Sequence, residues 1–194
     1  PPDLPSFNMI LTVSNHPPFD VDVYGLGFPL RRMPGALVPL WDGASSLEEL
    51  GHYWYADRCL GRFVDGLRER VPGAVVAATA DHVNHRFLNA RPGIPERAFV
   101  PLLLWGAGME GQAGPPFGCQ MDLLPTLVER CAPAGFAYAA LGRDLLDGGS
   151  PAAAFGGGMA VGPGFVADLG LSPAWVPWPG DALPPVPPDL MALK

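Results

Sequence analysis

The segment SSLEELGHYWYADRCLGRFVDGLRERVPG (45–73), followed at once by AVVAATA (74–80), constrains the fold more than any other part of the chain. The first stretch opens with Ser45 and Ser46 ahead of Glu48 and Glu49, the pattern of a capping box, and closes on arginines before Pro72-Gly73. Leu50, Tyr53, Asp57, Leu60, Val64 and Leu67 recur at steps of three and four, so the spacing predicts a helix whose apolar members pack inward. The second stretch has no polar residue but Thr79. A run that is apolar on both faces is the kind that lies inside a parallel sheet.

The remaining segments extend the same pattern. SFNMILTVS (6–14) reads as a buried strand that ends at His16, where Pro17 and Pro18 forbid a helix. RAFVPLLLWG (97–106) reads as a third apolar strand, and CQMDLLPTLVERC (119–131) as a helix with Asp122 in its first turn and Pro125 near its start. Residues 20–44, rich in Gly and Pro, form a long excursion without clear periodicity, which in a compact domain usually means a functional loop or an inserted lobe. FGGGMAVGPGFVADLG (155–170) has the glycines of a hairpin, and the proline-rich stretch from 171 onward reads as an extended tail. This order implies an α/β fold, a mostly parallel sheet sandwiched by helices, over residues 1–170, with a separate tail over 171–194.

Composition removes several function classes. A chain of 194 residues, 48% hydrophobic and 16% charged, fits one globular domain with many turns, given its 25 glycines and 25 prolines. A net charge of -7 argues against nucleic acid as a partner, because phosphate contacts need clustered positive charge. No apolar run reaches the roughly 18 to 20 residues needed to cross a bilayer. The chain starts at Pro1, and we expect it to be a piece of a longer protein. Cys59, Cys119 and Cys131 are odd in number and form no C-x-x-C pair, so neither a disulfide framework nor a cysteine zinc site is indicated.

Two of the expected strands end in residues that handle metals and anions: Asn15-His16 and Asp81-His82. Parallel strands would bring all four to one sheet edge, where ligands of α/β proteins collect. Asp offers a hard oxygen and His a borderline nitrogen, a mix that suits manganese, zinc or magnesium. Successive side chains of an extended strand point opposite ways, so the pair can hold one ion only where the strand bends into its loop. His85 completes D-H-x-x-H and is either a substrate contact or a solvated loop histidine. Arg86, Arg91 and Arg97 flank this loop and are candidates to clamp an anion, against the plainer reading of pairing with Glu96. His52 and Asp57 read as structural residues of the first helix, and Trp175 and Trp178 as tail residues packed on the domain, against the alternative of contact with a membrane interface.

The order LTVSNHPPF, YWYADRCLGRFVDGLRE, VVAATADH, FVPLLLWG, QMDLLPTLVE resembles the C-terminal half of the sulfatase-like branch of the alkaline phosphatase superfamily. It is most similar in flavour to lipoteichoic acid synthase and the phosphoglycerol transferases. The resemblance covers most of the chain. It implies an alkaline-phosphatase-like fold, of which this chain is the C-terminal portion, and an activity of transferring or hydrolysing phosphoglycerol, phosphoethanolamine or sulfate groups. It implies that Asp81 and His82 ligate a divalent ion (manganese, zinc, magnesium or calcium) and that His16 contacts the substrate anion; His85 and Arg86 stay candidates for substrate contact by their place beside the pair, not by the resemblance. Gln120, Asp122, Pro125 and Thr126 are then structural. The implied setting is extracytoplasmic, in a parent anchored by upstream membrane helices and acting on an anionic ester, lipid- or glycan-linked. Two departures stand out: Val83-Asn84-His85 replaces the glycine that often follows the Asp-His pair, and no segment supplies the family's nucleophile. The chain by itself is therefore expected to be inactive. The alternatives are a non-catalytic sulfatase-like binding or scaffolding module, and an unrelated α/β protein without metal.

Overall fold

The computed structural model describes residues 5–43, 45–83, 88–106, 109, 117–147, 154–162, 165–170 and 174–177. Helix α1 (Leu47–Arg70) begins where the sequence places it. Ser46 Oγ accepts from Glu49 N at 3.0 Å, and Glu49 Oε2 accepts from Ser46 N at 2.9 Å, closing the capping box. The expected inward face is only partly realised: Val64 is buried and Leu50, Leu60 and Leu67 are half-buried, but Tyr53 is exposed. What buries the start of α1 is the glycine- and proline-rich excursion, which lays Val23 and Phe28 against Gly51. A Cβ on Gly51 would stand 2.6 Å from Val23 Cγ2, so the bare backbone permits this approach. The Phe28 ring also meets the rings of Trp54 at 5.5 Å and Tyr24 at 5.8 Å.

The expectation of a mostly parallel sheet is not met among the described residues. Strand β1 (Val76–Thr79) pairs with β2 (Leu102–Trp105) in antiparallel register, Val76 opposite Trp105 and Thr79 opposite Leu102. Hydropathy does not encode strand direction. The connection from 80 to 101, which includes the short helix α2 (Ile94–Ala98), returns the chain against its own course. The two-stranded ribbon leaves Ala77 and Thr79 exposed while Val76 and Ala78 are half-buried, the one-sided pattern of an antiparallel pair. Alanines count as apolar in sequence yet have little side-chain surface to bury, so a run of them also suits a strand with one face open to solvent. The strand expected over 97–106 is also shorter, since Arg97 and Ala98 belong to α2.

Residues 6–14 form no strand. The segment pairs with no strand among the described residues, and its large side chains face solvent, Phe7 at 85% and Met9 at 87% exposure. Asn15-His16 therefore stands in a turn, with His16 N donating to Val13 O at 3.1 Å, and not at a sheet edge shared with Asp81-His82. The turn is held to α1 through His52, whose Nδ1 lies 2.7 Å from Ser14 O.

Beyond α3 (Leu123–Cys131), which follows one 3-10 turn at Gln120–Asp122, the chain forms an antiparallel meander. Its strands are β3 (Ala154–Gly156), β4 (Met159–Gly162), β5 (Phe165–Asp168) and β6 (Ala174–Pro177). The hairpin expected over 155–170 is present: Gly157 and Gly158, at φ of 57° and 77°, make the two-residue turn that needs positive φ at both positions. Strand β6 lies within the stretch read as a tail and pairs with β5. Ile94 of α2 packs with Phe117, Ala154, Val161 and Val166 into one apolar cluster, and Arg97 Nη2 reaches Asp168 Oδ2 at 4.0 Å. The described residues thus combine helices with small antiparallel sheets, an α/β chain in the broad sense.

Candidate functional site

Strand β1 ends at Thr79, whose hydroxyl donates to Pro101 O at 2.8 Å, and the chain bends at Asp81 and His82. The bend removes the alternation that would send adjacent side chains apart. Asp81 Oδ1 accepts from His82 N at 3.0 Å, and His82 Nδ1 lies 2.6 Å from Val83 O. In the tautomer that donates from Nδ1 to this carbonyl, the ring lone pair lies on Nε2. Nε2 stands 3.5 Å from Asp81 Oδ2. Two donors each about 2.1 Å from one ion, at a tetrahedral angle, stand about 3.4 Å apart. The separation of the carboxylate oxygen and the imidazole nitrogen is thus compatible with two positions around a divalent ion. Both side chains are open to solvent, 78% for Asp81 and 57% for His82. An exposed pair of this kind contributes little to stability.

The backbone beneath the pair is held from outside. Gln120 Nε2 donates to Ala80 O at 3.2 Å and to Asp81 O at 2.9 Å, across 40 and 39 residues of sequence. Gln120 is in turn carried by a tightly bonded unit. Asp122, buried, accepts from Cys119 N through Oδ2 at 2.8 Å and from Arg143 N through Oδ1 at 2.9 Å. Thr126, fully buried, donates to Asp122 O at 2.7 Å and accepts from Leu145 N at 2.9 Å. Gly142 makes the close approach possible, since a Cβ there would stand 2.1 Å from Met121 O. The Q-x-D-x-x-P-T spacing thus sets the start of α3 against residues 142–145 with one end and against the end of β1 with the other. Sequence reasoning assigned Gln120 a structural place only.

The other candidates are dispersed. His16 hydrogen-bonds locally, its Nδ1 2.8 Å from Pro17 O. His85 and Arg86 lie outside the described residues, as does Trp178. His52, read as a helix-face histidine, is buried, with the Phe19 ring edge-on at 5.2 Å. Arg97 turns to Asp168 and not to Glu96, which instead accepts from Asn89 at 2.9 Å and from Gly93 N at 2.6 Å. Arg91 N donates to Asn89 Oδ1 at 2.9 Å. The three cysteines are free thiols.

A cavity of about 380 Å³ opens beside α3, lined in part by Glu129, Tyr138, Arg143, Asp144 and Asp147. It includes neither Asp81 nor His82. The Tyr138 hydroxyl donates to Glu129 Oε1 at 2.8 Å, and this bond first, then burial and the nearby carboxylates, raises the phenol above its ordinary pKa. No group of three or more His, Cys, Asp or Glu placed to hold a metal occurs among the described residues. Among those residues no helix is long and apolar enough to cross a membrane. Compared with known proteins, the chain is matched by no family model, no curated protein and no solved structure.

Proposed function

We propose that this chain is part of a metal-dependent, sulfatase-like hydrolase or transferase acting on phosphate or sulfate esters, with Asp81 and His82 as two ligands of a divalent ion. The observation that carries the reading is the convergence of Asp81 Oδ2 and His82 Nε2 to 3.5 Å at the bend that follows β1. Manganese, zinc, magnesium and calcium are the candidate ions, the first three favoured by the oxygen and nitrogen pair. A bound ion would polarise the ester oxygen and lower the pKa of the attacking group. Asp81 and His82 hold and orient it, while His16, His85 and Arg86 are the candidates to meet the anionic oxygens of the substrate. The nucleophile of such a reaction would come from outside these residues. The fitting substrates are phosphoglycerol, phosphoethanolamine or sulfate esters on a lipid or glycan, handled outside the cytoplasm by a membrane-anchored parent. The ordered motifs of the sequence support this wider setting.

Manganese provides a direct test, because its paramagnetism broadens nuclear resonances near where it binds even when binding is weak. Substoichiometric manganese is expected to broaden the signals of Asp81 and His82 first, and the Asp81→Ala plus His82→Ala protein should lose that response. Broadening centred on Glu129, Asp144 and Asp147 instead, or unchanged in the double variant, sinks the reading. In a protein extended upstream, the same double substitution should abolish phosphodiesterase or sulfatase turnover. A folded, metal-indifferent protein with no turnover would point to the non-catalytic module.

A further inference from the structure

We infer that Gln120 is a positioning residue for the Asp81-His82 corner, fixing the direction in which the two ligands are presented. The inference rests on the metal reading above and adds to it a residue that touches neither the ion nor the substrate. Both hydrogens of the Gln120 amide nitrogen are used, one toward Ala80 O at 3.2 Å and one toward Asp81 O at 2.9 Å. Only the nitrogen end can donate to two carbonyls, so the chemistry fixes the orientation of the amide group.

The consequence lies in the peptide planes. The carbonyls of residues 80 and 81 belong to the two peptide units on either side of the Asp81 Cα. Each unit is planar, and fixing its carbonyl direction fixes the rotation of the plane. In a trans unit the N–H points opposite to the carbonyl. The 81–82 unit is therefore held at both edges: its carbonyl by Gln120, and its N–H by Asp81 Oδ1 at 3.0 Å. That second bond also orients the carboxylate, with Oδ2 turned toward His82 Nε2 at 3.5 Å. An exposed loop dipeptide would otherwise sample many orientations, and ordering it on metal binding would cost conformational entropy. The clamp supplies that order beforehand, as groups outside the ligand set commonly do at metal sites.

Gln120 is exposed, so its replacement removes no core packing. Gln120→Ala deletes the two bonds, while Gln120→Glu keeps the size and sets a carboxylate against two carbonyl oxygens. Manganese affinity at the corner, followed by the broadening of Asp81 and His82, is expected to fall about tenfold to a hundredfold in Gln120→Ala. It should fall at least as far in Gln120→Glu, with little change in the unfolding midpoint of either protein. A readout free of metal is the His82 amide, whose chemical shift should move and whose hydrogen exchange should quicken in both variants.

An unchanged His82 amide overturns the clamp. A moved amide with unchanged manganese affinity overturns the positioning role and leaves the metal reading intact. If the Asp81→Ala plus His82→Ala protein responds to manganese as the parent does, the metal reading falls and the positioning role falls with it.

Discussion

Truncating Phe28 to alanine is expected to destabilise the protein by about 3–5 kcal/mol, the range for removing a buried aromatic ring from a packed site. The ring is 1% exposed, and around it stand Val23, Tyr24, Gly51 and Trp54. It closes a turn in which Phe28 N donates to Val23 O at 2.9 Å. The lost ring would leave a cavity that this hydrogen-bonded turn cannot collapse to fill. Phe28→Leu, which keeps much of the volume, should cost distinctly less. Urea denaturation followed by tryptophan fluorescence measures both, with Trp54 reporting from the contact itself. A cost below about 1 kcal/mol for the alanine variant would mean that residues 20–41 do not depend on α1 for their place, contrary to the packing described.

Asp122→Ala is the second large effect. The carboxylate is 4% exposed and accepts two backbone N–H groups, from Cys119 and Arg143. A hydrogen bond to a charged group contributes about 1.5–3 kcal/mol, and removing the acceptor leaves two part-buried donors without it. A loss of roughly 3 kcal/mol or more is expected, read as a shift in the denaturation midpoint. Asp122→Asn should fall between, since an amide offers one oxygen and turns an NH2 group toward the other donor. A loss within the roughly 0.5 kcal/mol of ordinary surface changes would show that residues 142–145 are held by other contacts.

The parts that were legible in the sequence are the parts fixed by local chemistry. The capping box at Ser46 and Glu49, the helix after Asp122 and the Gly157-Gly158 turn each depend on residues within four positions of one another. The Asp81-His82 bend was legible for the same reason, because strand and loop signals meet there. Illegible were features that depend on what lies opposite. Strand direction for β1 and β2 is set by the path of the intervening chain. The segment 6–14 has the composition of a buried strand and the exposure of a loop, because hydropathy records what a residue prefers and not whether a partner is there. The excursion was opaque because its anchors Val23, Phe28 and Met33 are five residues apart, a spacing that matches neither helix nor strand. Gln120 reaches a partner 39 residues away, which no local pattern announces.

That distance also sets an order in time. The β3–β4 hairpin closes over two residues and the meander grows from neighbour to neighbour, whereas the Gln120 clamp must first bring together parts of the chain 39 residues apart. Closing the longer loop carries the larger entropic cost before any contact rewards it. The meander should therefore gain protection early in refolding and the Asp81-His82 corner late, an order that pulsed hydrogen exchange at Val161 and His82 would read.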